Sequence, residues 1–162
     1  MPKTIIILGS NSGLKKEMPE ISCRLLEERC GTILKTSGIY ETEPWGFECR
    51  ESFYNQAVVI ETPLSPLELL STVLQIENEL GRTRNPNQRY SSRSIDIDIL
   101  FYDSEIIQTE NLTIPHPLIR ERNFVLIPLN EIVPDFLHPV FKKTVNELLL
   151  SSEDTLNVKK IS

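Results

Sequence analysis

Apolar positions along the chain switch between two periods. KTIIILG, residues 3–9, is a continuous β-branched run closed by glycine, which predicts a central strand. After the SNSG turn, Met18, Ile21, Leu25 and Leu26 form a stripe at helical spacing that runs to about Arg29. Pro19 places the start of its regular part, since proline suits the first helical turn. TILKTSGIYET, residues 32–42, returns to strand character, and FYNQAVVIET, residues 53–62, gives a third strand. The stretch between them, residues 42–52, has loop composition. SPLELLSTVLQIENELG then opens with Ser65 as N-cap, Pro66 at the first helical position and Glu68 three residues after the cap, and Gly81 supplies the stop. A polar loop over residues 82–93 leads to RSIDIDILF, where Ile95, Ile97 and Ile99 alternate with Asp96 and Asp98.

The order β-α-β-β-α-β is the split βαβ of a ferredoxin-like sheet. The expected class is therefore α+β, a mainly antiparallel open sheet with helices on one face. The C-terminal third decorates this core with extra helices in NFVLIPLNEIV and KKTVNELLL, and the polar tail after Ser151 is expected to be loosely held. No repeat, linker or low-complexity block divides residues 1–162, which read as one domain. Hydrophobic residues at 40% and charged residues at 25% fit a soluble globular chain and change little. Charge narrows the partners, because a net charge of -6 argues against nucleic acid or a membrane surface as the main one. The opening apolar run is too short for a signal peptide or a span. Cys23, Cys30 and Cys49 lack metal-ligand spacing, so a reducing cytoplasm is the expected compartment.

Candidate chemistry gathers around the diacid strand. At period two, the three isoleucines face one way and both carboxylates the other. Aspartate is depleted in strands, and two charges about 7 Å apart at an effective dielectric of about 20 repel by roughly 2 kcal/mol. Water, arginine or a divalent metal can compensate. Magnesium takes oxygen ligands and shares them with substrate phosphates. The plain alternative is a half-exposed strand with an acidic polar face. The preceding loop, GRTRNPNQRYSSR, carries Arg82, Arg84, Arg89 and Arg93, more guanidinium than two carboxylates need. That composition suits a polyphosphate cradle. No G-x-x-x-x-G-K-[ST] or G-x-G-x-x-G motif is present, so a nucleotide would be held through metals and loop arginines.

Other polar residues carry two readings each. His116, between two prolines and ahead of Arg120, Arg122 and Phe124, is either a fixed phosphate contact or a turn residue with a satisfied ring. Asn55, in an otherwise apolar strand, reads a ligand edge or bonds a neighbouring loop. Trp45 plugs the core beneath its loop or stacks on a flat ligand. Glu77 falls on the apolar stripe of its helix and, if buried, should meet a cation.

Together, LGSNSG, YETEPWG, FYNQAVVIET, IENELGRTR, RYSSRSIDIDIL and IPHPLIRERNFVLIPL resemble the motifs of the 6-hydroxymethyl-7,8-dihydropterin pyrophosphokinase family of folate biosynthesis, in order from residue 8 to about 134. That family often has tryptophan where Tyr90 stands, glycine where Ser91 stands and histidine where Arg120 stands. The resemblance implies transfer of pyrophosphate from ATP to the hydroxymethyl group of the pterin, with release of AMP. ATP and the pterin would be the small-molecule partners of a monomer. Asp96 and Asp98 would hold two Mg2+ ions, Arg82 and Arg93 would stabilise the transferring group, and Arg84, His116 and Arg122 would bind the triphosphate. Tyr90 would close its loop, and the backbone near Ile99 and Thr113 would receive adenine. Thr42, Pro44, Trp45 and Asn55 would grip the pterin edge, while Phe53 and Phe124 would sandwich its rings. Residues 43–52 and 82–92 are the natural lids. Two rivals stay open: a two-metal phosphodiesterase or nuclease on the same diacid, and a ferredoxin-like binding module without turnover.

Overall fold

The computed structural model describes residues 1–11, 17–42, 53–81, 95–155 and 157–162. β1 (Lys3–Asn11) is central because its branched residues find apolar cover on both faces, Ile6 and Leu8 on one and Ile5 and Ile7 on the other. It pairs antiparallel with β4 (Phe53–Glu61) on one side and β5 (Ile95–Tyr102) on the other. α1 (Met18–Arg29) and α2 (Pro66–Gly81) supply the crossovers, so the expected β-α-β-β-α-β order is present. The predicted capping box of α2 is formed, with Ser65 N–H donating to Glu68 Oε1 at 3.0 Å and Glu68 N–H to Ser65 Oγ at 3.2 Å.

Three expectations are corrected. First, residues 32–42 form two strands, β2 (Thr32–Thr36) and β3 (Tyr40–Thr42), both paired with β4. Ser37 makes the break: its hydroxyl takes the Ala57 amide at 2.9 Å, so a side chain stands where a ladder carbonyl would. Second, helices cover both faces of the sheet. α1 and α2 pack over Ile6, Leu8, Val58 and Ile60. α3 (Asn123–Ile132) and α4 (Val145–Leu150) pack over Ile5, Ile7, Ala57, Leu100 and Phe101. Third, the tail is held. Its β8 (Val158–Lys160) pairs antiparallel with β3, giving the order β5-β1-β4-β3-β8. The Glu131 carboxylate fastens this edge, accepting from Tyr40 Oη at 2.6 Å and Gly38 N–H at 3.1 Å and pairing with Lys160 Nζ at 3.3 Å.

One irregularity divides β5. Ile99 faces Ile6 and Phe101 faces Ile5, which leaves Leu100 as an extra residue. Through this bulge Leu100 and Phe101 both enter the α3/α4 core. The strand thus has an apolar C-terminal half under the helices and an acidic N-terminal half beyond them. Among the described residues no helix is long and apolar enough to cross a membrane.

Candidate active site

Four strand ends meet where the α3/α4 layer stops. β1 brings Gly9, which lies directly between Asn55 of β4 and Asp96 of β5 in register. A Cβ at Gly9 would come within 3.2 Å of Asn55 Nδ2, so the glycine makes room for the amide. Asn55 is buried, its Oδ1 accepting from the Thr42 hydroxyl at 3.2 Å and its Nδ2 within 3.5 Å of Leu8 O. These two contacts fix the amide plane. Asp96 and Asp98 are exposed on the same face, while Ile95, Ile97 and Ile99 are buried in the α1/α2 core, as alternation requires. From behind, the Ile97 amide between the two aspartates donates to Glu77 Oε2 at 2.7 Å. Glu77 is buried as its helical position foretold, and its Oε2 accepts this backbone amide.

The cleft above this floor has a volume of about 540 Å³, a size ordinary for small-molecule sites. Thr42, Phe53, Asn55, Asp96 and Asp98 line its sheet side; Leu118, Glu121, Arg122, Phe124 and Asp154 line the other. Arg122 takes the N-cap position of α3, and its guanidinium carbon lies 5.4 Å from the Phe124 ring centroid. The His116 amide donates to Leu100 O at the bulge, at 3.0 Å. Its Nδ1 accepts the Leu118 amide at 3.3 Å, which leaves Nε2 to carry the proton of the neutral ring. Burial lowers the His116 pKa from 6.5; the Asp98 carboxylate pulls it up and the Arg122 guanidinium pushes it down, so the ring is a neutral donor at pH 7.

Seven of the sequence-predicted residues thus share one cleft: Thr42, Phe53, Asn55, Asp96, Asp98, Arg122 and Phe124. His116 stands beside them, within the field of Asp98 and Arg122. The Ile99 side chain is buried in the opposite core, so its backbone is the part that edge strand β5 can offer. Thr113 is exposed on β7 (Thr113–Ile114), paired with β6 (Ile107–Gln108). Pro44, Trp45, Arg82, Arg84, Tyr90 and Arg93 lie outside the described residues, as do both proposed lids. Sequence reasoning missed the steric role of Gly9, although its LGSNSG motif stood out. It also missed Glu121 and Asp154, whose places depend on how distant segments return to the cleft.

Among the described residues no three His, Cys, Asp or Glu side chains converge on a metal position. Two exposed carboxylates on one strand face are nevertheless the share that a protein usually gives magnesium, substrate phosphates and water providing the rest. The donor set fits that ion.

Fold and cleft together define a ferredoxin-like α+β protein with a cleft of small-molecule size over an acidic strand. Residues 5–134 match the family model of 7,8-dihydro-6-hydroxymethylpterin-pyrophosphokinase (HPPK), and the chain belongs to that family. It is 48% identical over 128 residues to the 2-amino-4-hydroxy-6-hydroxymethyldihydropteridine pyrophosphokinase of Bacillus subtilis, covering 78% of this chain and 75% of that one. It is 42% identical over 156 residues to the folic acid synthesis protein FOL1 of Dictyostelium discoideum, covering 96% of this chain but 23% of that much longer protein. The fold is shared with Plasmodium falciparum HPPK-DHPS, solved with pteroate, at a TM-score of 0.73 and 20% identity over 92% of this chain and 42% of the other.

Proposed function

We propose that this chain transfers pyrophosphate from ATP to 6-hydroxymethyl-7,8-dihydropterin in folate biosynthesis, releasing AMP. One observation carries the reading: a single cleft sets the Asn55–Thr42 amide and hydroxyl, and two phenylalanines, beside two exposed carboxylates. The amide offers both donor and acceptor to a heterocycle edge, and Phe53 and Phe124 offer faces to its rings. Asp96 and Asp98 hold magnesium, two ions being expected, and bound metal neutralises charge on the phosphates. His116 donates through Nε2, and Arg122 through its guanidinium, to triphosphate oxygens. Arg82, Arg84, Tyr90 and Arg93 complete the phosphate side, Pro44 and Trp45 the pterin side, and the backbone at Ile99 and Thr113 receives adenine.

The hydroxymethyl oxygen attacks the β-phosphorus, the bond to the α–β bridging oxygen breaks, and AMP leaves with that oxygen while the hydroxyl proton is released. Phosphoryl-type transfer asks little covalent help of a protein, so positioning and charge dominate. The enzyme works as a monomer, one domain over residues 1–162, in the cytoplasm. The test is to incubate it with MgATP, with and without the pterin, and to separate AMP, ADP and ATP. Pterin-dependent AMP with pterin pyrophosphate is expected, and chelation of magnesium should stop it. ADP, or nucleotide turnover indifferent to pterin, would overturn the reading.

A further inference from the structure

α3 begins without a cap of its own. Arg122 occupies the N-cap position and makes no side-chain capping bond, which would leave the first amides of the helix without acceptors. Asp154, thirty-one positions beyond Asn123, supplies what is missing: its Oδ2 accepts the Asn123 amide at 2.8 Å, and its backbone oxygen accepts Asn123 Nδ2 at 3.1 Å. A carboxylate at this place also meets the positive end of the helix dipole. Asp154 is half-buried and lines the cleft. It belongs to the segment beyond the family-matched residues 5–134, and that segment continues into β8, where Val158 pairs with Thr42.

We propose that Asp154 is a positioning residue for the pterin side of the cleft. Asn123 stands between Arg122 and Phe124 in the chain, so holding its backbone holds both neighbours. With β8 on Thr42 and Asp154 on Asn123, the tail grips both walls of the site. The ligand assays below rest on the proposed function.

The test compares wild type with Asp154→Ala, Asp154→Asn and, as control, Thr144→Ala. Thr144 caps α4 in the same layer, its hydroxyl accepting the Glu147 amide at 3.1 Å, and is not among the cleft residues. Calorimetry with 6-hydroxymethylpterin in the presence of magnesium α,β-methylene-ATP reads affinity, and amide exchange reads the start of α3. Asp154→Ala should raise the pterin Kd about fivefold, the size expected for a lost cap. Asp154→Asn, which keeps an acceptor oxygen, should return to within about twofold of wild type. Thr144→Ala should lose comparable thermal stability and keep the wild-type Kd. Unchanged affinity in Asp154→Ala, or equal weakening in Thr144→Ala, would overturn the assignment. If wild type yields no pterin-dependent AMP, the function reading fails separately. Exchange at Asn123 and Phe124 then still decides the cap, faster exchange in Asp154→Ala supporting it and unchanged exchange refuting it.

Discussion

Replacing Asp98 with asparagine should move stability and activity in opposite directions. Asp96 and Asp98 lie two residues apart on β5, both exposed and on one face, which separates their backbones by about 7 Å. Two unit charges at that distance repel by about 0.6 kcal/mol in bulk water and about 2.4 kcal/mol at an effective dielectric of 20. Their exposure puts the cost at about 1 kcal/mol, and Asp98→Asn removes it with almost no change of shape. In a chain of this size that corresponds to a Tm about 2–4 °C higher. The same substitution removes half of the proposed metal ledge. At a hundredfold excess over Kd, MgATP should stabilise the wild type by about 2.7 kcal/mol, and the variant should lose most of this gain. Melting curves with and without MgATP should therefore cross: Asp98→Asn melts higher without nucleotide and lower with it, and forms no AMP. A variant that melts below wild type without nucleotide, or that keeps the MgATP shift, would refute the argument.

The other expectations concern different layers of the molecule. Asn55→Ala should weaken pterin binding and spare MgATP, since the amide sits on the Thr42 side of the floor; equal loss of both ligands in calorimetry would contradict this. Burial pushes the Glu131 carboxyl up, but the Tyr40 hydroxyl, the Gly38 amide and Lys160 together outweigh it and hold the pKa below the ordinary 4.5. Its stabilising effect is thus present above pH 4.5 and lost as pH falls through the lowered value, so amide protection of β8 should fade on acidification. Glu131→Gln should show that weaker protection already at pH 7. His138 is buried, and burial, then Arg120, lowers its pKa from 6.5. The unfolded chain takes up a proton first, so stability should fall as pH drops below 6.5, by up to about 1.4 kcal/mol per pH unit. His116 is lowered as well and adds its own share, so the readout is the difference in slope between wild type and His138→Asn.

The features legible in the sequence are those written in local periods. β1 shows as a branched run, α2 as a capping box, and the diacid as strict alternation through Ile99. Asn55 stood out because a polar side chain interrupts an apolar strand. Ser37 did not, because its hydroxyl ends a strand only through a partner twenty residues away, at Ala57. The helices of the second face were expected only as decoration, because the polar side of NFVLIPLNEIV, Asn123, Asn130 and Glu131, shows which side of α3 is buried but not which face of the sheet it meets. β8 was missed because its pairing uses the backbone, while two of its three side chains are exposed lysines. Asp154 had no local pattern at all; its role exists only where the tail meets α3.

The outer strands of the sheet bear on how the protein meets its own copies. An edge strand offers ladder groups to any passing chain, and such additions seed aggregates. On β5 the Ile97 amide is taken by Glu77 and the Leu100 carbonyl by the amide of His116. At the opposite edge, β8 is three residues long and carries Lys159 and Lys160. A second molecule adding itself beside β5 would have to displace Glu77 and bring two more carboxylates against Asp96 and Asp98. The strand proposed to meet a triphosphate is thereby a poor template for itself.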